Sequence, residues 1–564
     1  MRDDMTPPGA VRSASDSDGL PARRGWDPLL AAILATLPIA VLIGLGAKGG
    51  DMPAQLYRSE LARHGVWLWD NHWYSGLYLP SYSILYPPLA GLVGDLLLVG
   101  MGGVVASALF TDLVLRTWGA SARWGGYAFA LLAFGPLCTG QYAYSLGITA
   151  LLGTLCCLSR GRRAWAVGCA ALTVAFAPLA FAFLVLILAG HLVVAGRPGR
   201  ETVALATAIV GIGALGATVV LALPARGDLP FTTRALWPAL AVLGTVALAC
   251  LTAPLHRTRR LGVVCLSWLA ACLILYLVTS PIGHNVTRIQ YVLFPLALAA
   301  LAGGLSDDLL KGGRLRGGRL RVGRRHLHAG AAVLALGASF VWTIQPYAEV
   351  VPGSLRSSFA PAERWKPVND FLAAHWTPDY RVEVATTYGH WESYWVGRSY
   401  PLARGWFRQA DTERNGVLYH PLTAAKYQRW LRDNGVRHVV LPPGDIEGHH
   451  EGALLRSGTS GLVQVGAEDG FTMWELPRPT PLLTGPGARV TRYGHDVVEG
   501  RLPARGSYLL RLRFNRHWVV GPGVCLSPGP GGWTLLRASS ATTFALRQPT
   551  PLGLWRHRTD CQTP

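Results

Sequence analysis

The sequence predicts a multi-spanning α-helical membrane protein of about 11 spans followed by an extracytoplasmic α/β plus β-rich domain. Three observations carry that expectation. Half of the 564 residues are hydrophobic and only 15% are charged, a balance too apolar for a soluble chain of this length. Between residues 27 and 346 the apolar residues form long runs, broken by short Arg-rich or Pro/Gly-rich joints. After Pro346 the charges return, and no run reaches the roughly 20 apolar residues that a crossing needs. The chain therefore divides into a polar, disordered cytoplasmic tail (1–25), a membrane body (26–345) and a soluble domain (346–564).

Residues 28–47 are long enough to span, and no small-x-small cleavage site follows, so they read as an uncleaved first helix. Further runs lie at 100–117, 124–140, 143–158, 164–178, 179–195, 202–223, 235–253, 261–279, 288–304 and 329–344. Basic joints alternate with nearly neutral ones. Arg23 and Arg24, Arg116 and Arg123, Arg160 to Arg163, Arg197 and Arg200, Arg257 to Arg260, and Arg314 to Arg325 mark one side. The positive-inside rule puts that side, and the N-terminus, in the cytoplasm of a plasma-membrane protein. An odd number of spans then leaves the C-terminal domain outside. The run 83–99 starts Tyr86-Pro87-Pro88-Leu89 and holds Asp95. As a span it would invert every later basic joint, so a helix lying in the outer interface is expected, within a large outer loop 48–99.

The net charge of +20 does not imply nucleic acid, because many basic residues flank spans and no recognition motif is present. Seven of the nine cysteines lie in apolar runs, where compact packing suffices. Cys525 and Cys561 remain, in a domain expected in an oxidising compartment, and are expected to pair.

The chemistry gathers in the first loop, which reads Gly50-Asp51-Met52-Pro53, Tyr57-Arg58-Ser59-Glu60 and Trp67 to Tyr74. Trp69, Trp73, Tyr74 and His72 beside carboxylates suit sugar rings, but aromatics also form interface belts, and residue types alone rank the belt first. Gly50-Asp51-Met52-Pro53, Trp69-Asp70 and Tyr86-Pro87-Pro88-Leu89 resemble the GT-C class of integral membrane glycosyltransferases. The chain is also similar to the actinobacterial-type membrane proteins labelled as carrying a 6-pyruvoyl-tetrahydropterin-synthase-related domain. No Zn-binding His cluster supports pterin chemistry.

The resemblance implies a GT-C-like membrane body, a polyprenyl-phosphate sugar donor and a glycan or lipid-linked acceptor, with the lipid bilayer as the other partner. It also implies an Asp at the active centre and a divalent metal in some relatives, for which Asp51, Asp70 and His72 are the candidates. Independently of the family, a sugar hydroxyl needs a base, and partial desolvation makes a carboxylate more basic. Asp51 fits that role, or caps the helix begun by Met52-Pro53. Asp70 is expected to hold a metal, orient the acceptor or cap the next turn. A leaving phosphate needs cations, and the joint Gly283-His284-Asn285-Val286-Thr287-Arg288 offers Arg288 and His284 at headgroup depth. Arg288 could also merely snorkel. Gly140-Gln141 in another joint lines the same cavity or caps two helices.

In the soluble domain, 367–375 and 427–434 read as helices and 381–385 and 435–441 as strands, an α/β unit. Segments from Phe471 onward, rich in Gly and Pro turns, read as a β-sandwich-like end. The clusters 390–394 and 404–409 suit a glycan or a protein interface equally. The reading is an inverting glycosyltransferase with Asp51 as base. Its rivals are a transporter or flippase for a lipid-linked intermediate, and a non-catalytic assembly subunit of the same fold.

Overall fold

The computed structural model describes residues 25–195, 199–224, 227–310, 319–444, 446–447, 450–549 and 561, with 195, 303–310 and 319–327 described by backbone alone. Residues 1–24 of the expected N-terminal tail, Arg197, and Arg314 and Arg316 of the last basic joint lie outside the described residues.

Every run expected to span is helical, and among the described residues eight helices are long and apolar enough to cross a membrane. They are Asp27–Gly44, Asp95–Trp118, Tyr142–Ser159, Arg200–Ala222, Thr233–Thr252, His256–Leu277, Gly283–Ala302 and His328–Leu355. Among the described residues Arg163–Phe176 and Pro178–Val194 are shorter apolar helices, and the run 124–140 breaks into Arg123–Leu132 and Gly135–Thr139. Pro136 starts that second piece, where its missing N–H costs nothing. The other three of the 11 expected runs are the split run 124–140, the 14-residue helix Arg163–Phe176 and the run 179–195, whose described part is Pro178–Val194.

The joints collect at two ends. At one, Arg160 and Arg116 both pair with Asp112 (2.9 and 2.7 Å), and Arg257 donates to the Thr117 carbonyl (3.2 Å). All the described basic joints lie at this end. At the other, Lys48 N–H donates to Ser354 O (2.8 Å), Leu85 N–H to Ala175 O (3.1 Å) and Leu229 N–H to Ser280 O (2.9 Å). The C-terminal domain sits on this second end.

Two boundaries differ from expectation. The run 83–99 is not one interface helix: it divides at Gly94 (φ 92°) into Tyr86–Val93 and the first turn of Asp95–Trp118. Asp95 opens the long helix and accepts from Ser59 Oγ (2.8 Å) and from the Tyr86 hydroxyl, which explains an acid in an otherwise apolar run. The last membrane helix also continues past 345, as Arg319–Leu355.

The α/β unit is a four-stranded sheet ordered Arg381–Val384, Val436–Leu441, Phe471–Glu475, Val463–Glu468, with only the first pair parallel. Phe471–Glu475, expected in the β-rich end, belongs here. Two further sheets follow. One orders Val524–Pro528, Trp533–Ala538, Gly506–Arg513 and Leu483–Thr484; the other orders Thr542–Arg547, Val497–Leu502 and Arg489–Tyr493. Alternate residues of Gly506–Arg513 turn inward, so Leu510 and Leu512 share a core with Val498 and Phe544 of the second sheet.

Cys525 and Cys561 form a disulfide (Cα–Cα 5.0 Å), which ties the C-terminal tail to the strand edge. Closing a loop over 36 positions of sequence, the bond is expected to contribute about 4 kcal/mol. Replacing both cysteines by Ser should make the β-rich end measurably more protease-sensitive and leave the membrane helices protected.

Candidate active site

Asp51 stands at the N-terminus of helix Met52–Arg63, yet its side chain makes no cap hydrogen bond. Its Oδ1 instead accepts from Trp406 Nε1 (3.1 Å), far along the chain in the soluble domain. Of the two readings of Asp51, the cap is therefore absent. Its position is fixed through the backbone: Asp51 N–H donates to Thr139 O (3.0 Å), and the joint at Gly140 lies directly on it. Gly140 has φ 77°, and a Cβ there would come within 2.3 Å of Met52 N, so only glycine permits this approach.

Burial raises the pKa of Asp51 above the ordinary carboxylate value, against the pull of Arg288, His390, the Trp406 hydrogen bond and Arg58. His390 stacks face to face on Trp406 (3.3 Å between centroids) and contacts Glu447 (2.8 Å). Burial alone would lower the His390 pKa, but Glu392 and Glu447 outweigh it and raise it to about 9. The residue also adopts φ 56°, unusual for a side chain of this size. An imidazolium and an indole N–H thus reach Asp51 from the clusters 390–394 and 404–409.

Arg58 escaped the sequence reading. It is buried, lies over the rings of Tyr82 (4.0 Å) and Phe407 (5.7 Å), and has no ion pair among the described residues. Burial pulls its pKa below the ordinary value, the mark of a cation short of compensation. A signal was present: Asp51, Gln55 and Arg58 follow each other at i, i+4 and i+7, one face of a helix.

Arg288 lies in the last turn of a 3-10 segment, Gly283–Ile289, and its guanidinium sits over the Tyr144 ring (4.9 Å). It is the one charged residue lining a cavity of about 200 Å³ that runs into the helix bundle. Gln141, Tyr144 and Tyr291 surround its polar end; Phe110, Leu152 and Trp268 line the apolar depth. His284 does not line it: its Nδ1 donates to Pro230 O (3.1 Å), which spends the ring on a loop.

Most of the aromatic loop is elsewhere. Trp73 is fully buried, stacks on Tyr57 (4.1 Å) and donates from Nε1 to Ser393 O (3.0 Å). Gly405 presses so closely on it that a Cβ would lie 2.5 Å from the indole. The Tyr74 hydroxyl donates to Gly405 O (2.6 Å), and Trp69 packs against Tyr78 and Trp518. These three are the joint between loop and soluble domain.

Asp70 is buried and surrounded by donors: Tyr57 (2.9 Å), His495 Nδ1 (2.9 Å) and the N–H groups of His72 and Trp73 (3.2 Å each). Burial would raise its pKa, but His495 above all holds it below the ordinary value. His495 gives its other nitrogen to Arg398 O (3.1 Å), so both ring nitrogens donate and the ring is an imidazolium. Its pKa is raised, with Asp70 overriding burial. His72 stacks on His495 (3.8 Å) and donates from Nδ1 to Gly397 O (2.8 Å). Burial and that neighbouring charge push its pKa to about 3, so it is neutral. The metal candidates Asp51, Asp70 and His72 do not fit a common ion. Among the described residues no group of three His, Cys, Asp or Glu could hold one, and Asp70 is committed to other partners.

No protein-family model matches the chain, and no curated protein does. Among solved structures it is similar to the arabinofuranosyltransferase AftD from Mycobacteria, with TM-score 0.44 and 17% identity over 81% of this chain and 40% of that one. ArnT from Cupriavidus metallidurans in the apo state gives 0.38 and 14%, covering 80% of this chain and 98% of that one. The oligosaccharyltransferase AglB from Archaeoglobus fulgidus, in complex with an inhibitory peptide and a dolichol-phosphate, gives 0.35 and 14% over 74% and 69%. The chain thus spans about 40% of the length of AftD. Likeness at this level decides nothing about activity, which has to come from the site.

Proposed function

We propose that the protein is a GT-C-like membrane glycosyltransferase that moves a sugar from a polyprenyl-phosphate donor to an extracytoplasmic glycan or lipid-linked acceptor. One observation carries the reading. A cavity with a single cation at its mouth and apolar walls within the helices suits a phosphate on a long hydrocarbon tail, and Asp51 feels the charge of that same cation.

Asp51 takes the proton of the acceptor hydroxyl as its oxygen bonds to the anomeric carbon. The bond from that carbon to the phosphate oxygen breaks on the opposite face, which inverts the centre. The leaving polyprenyl phosphate gains negative charge, which Arg288 stabilises and Arg58 supports. Trp406 and His390 orient Asp51. Asp70 acts as a positioning residue, holding Tyr57 and the loop to the soluble domain. A transporter is less well served, because the ionisable groups that meet at the site gather at one end of the bundle and not along a path through it.

Incubating the purified protein with a panel of labelled polyprenyl-phosphate sugars and mixed envelope acceptors tests the reading. Transfer from at least one donor is expected, and none from any would overturn it. Orientation belongs to the same proposal. The basic joints mark the cytoplasmic end, so single cysteines placed in the soluble domain should react with an impermeant reagent in intact cells. Protection of that domain would defeat both the topology and an external active site.

A further inference from the structure

A second recess, with a volume of about 790 Å³, opens beside the segment that carries Asp51. Gly50 and Gly389, the chain neighbours of Asp51 and His390, both line it, so it comes within one residue of the proposed base along the chain. Its charged lining residues are Lys48, Arg356 and Arg364, with no carboxylate in its wall. None of the three has an ion pair among the described residues, although elsewhere in the soluble domain Arg404, Arg408, Arg437 and Arg547 all do. Tyr388, 61% exposed, offers an open ring face at the rim. The recess also lies past the carboxyl ends of the two parallel strands, Arg381–Val384 and Val436–Leu441, where open α/β sheets commonly hold ligands.

We propose that this recess is the acceptor site, and that the acceptor carries phosphate groups which Lys48, Arg356 and Arg364 hold while a sugar ring packs on Tyr388. The proposal rests on the glycosyltransferase reading for the word acceptor, but not for the anion. Phosphate reaches the membrane edge in two forms, on a lipid carrier or on the glycan itself. The chemistry of the recess is the same for both.

The test uses the full chain in phosphatidylcholine nanodiscs, with mannopentaose phosphate and neutral mannopentaose as soluble probes. The phosphorylated probe should bind at least about tenfold more tightly, with the difference shrinking as salt rises. The Lys48→Gln/Arg356→Gln/Arg364→Gln variant should lose that preference. If it does not fold, Arg356→Gln alone, at an exposed position, should still lower it. Undecaprenyl diphosphate added to the discs separates the sources: competition assigns a lipid-borne phosphate, its absence a glycan-borne one, and either supports an anion site. Equal binding of the two probes, or a preference that survives in the folded variants, overturns it. Farnesyl phosphate binding, measured in parallel, should depend on Arg288 and not on these three, so the donor reading and the acceptor site can fail separately.

Discussion

Asp51→Asn should lower turnover by about 10²-fold or more while leaving folding and donor binding intact. Asn has nearly the same shape and can still accept from Trp406 Nε1, so the contact that positions the side chain survives. What it loses is the ability to take up a proton. The stability effect has a definite sign. Burial raises the Asp51 pKa in the folded protein, so the ionised carboxylate is a net cost to the fold. Stability linked to this group is greatest at low pH, and declines as pH rises from the unfolded pKa through the folded one. At pH 7 the Asn variant should therefore unfold at an equal or higher temperature than the wild type. A helix cap would give the opposite result, a loss of about 1 kcal/mol. The same shift moves the acid limb of kcat/KM upward from the ordinary Asp value, since the base works only when ionised. Near-wild-type transfer by a folded Asp51→Asn protein would remove the residue from the mechanism.

The sequence showed the parts of this molecule that depend on composition over long windows. Hydropathy located the long apolar helices of the membrane body, and the described basic joints fall at one end of the bundle. It misjudged lengths where a single residue decides, as at Gly94 and Pro136, because a run of apolar residues carries no mark of where the backbone breaks. At the site, Asp51 and Arg288 stood out by their place beside span ends. Trp69, Asp70, His72, Trp73 and Tyr74 stood out equally, yet they clamp the soluble domain, since aromatic and charged residues serve a buried joint as readily as a sugar. The donors that reach Asp51 come from residues more than 300 positions later, Trp406 directly and His390 behind it. No local pattern could announce that pairing. Arg58 was legible in principle, one helical face from Asp51, but only a burial value separates it from an ordinary surface arginine.

Arg288→Ala should weaken binding of a short polyprenyl phosphate by about 10²-fold, the scale expected when one partner of a desolvated charge pair is removed. Farnesyl phosphate is a suitable probe, because it carries the phosphate and enough tail to enter the cavity without a sugar. Arg288 is the cavity's one charged lining residue, and its guanidinium lies over the Tyr144 ring, so the planar group is already oriented. Arg288→Lys keeps the charge but not the two-pronged donor geometry, and should fall between wild type and Ala. Arg58→Gln should cost less, since that cation does not line the cavity, and should show mainly in turnover as charge builds on the leaving phosphate. The two variants therefore separate ground-state holding from transition-state support. If Arg288 only snorkels towards the interface, Arg288→Ala will bind farnesyl phosphate as wild type does, and the donor has to be sought outside this cavity.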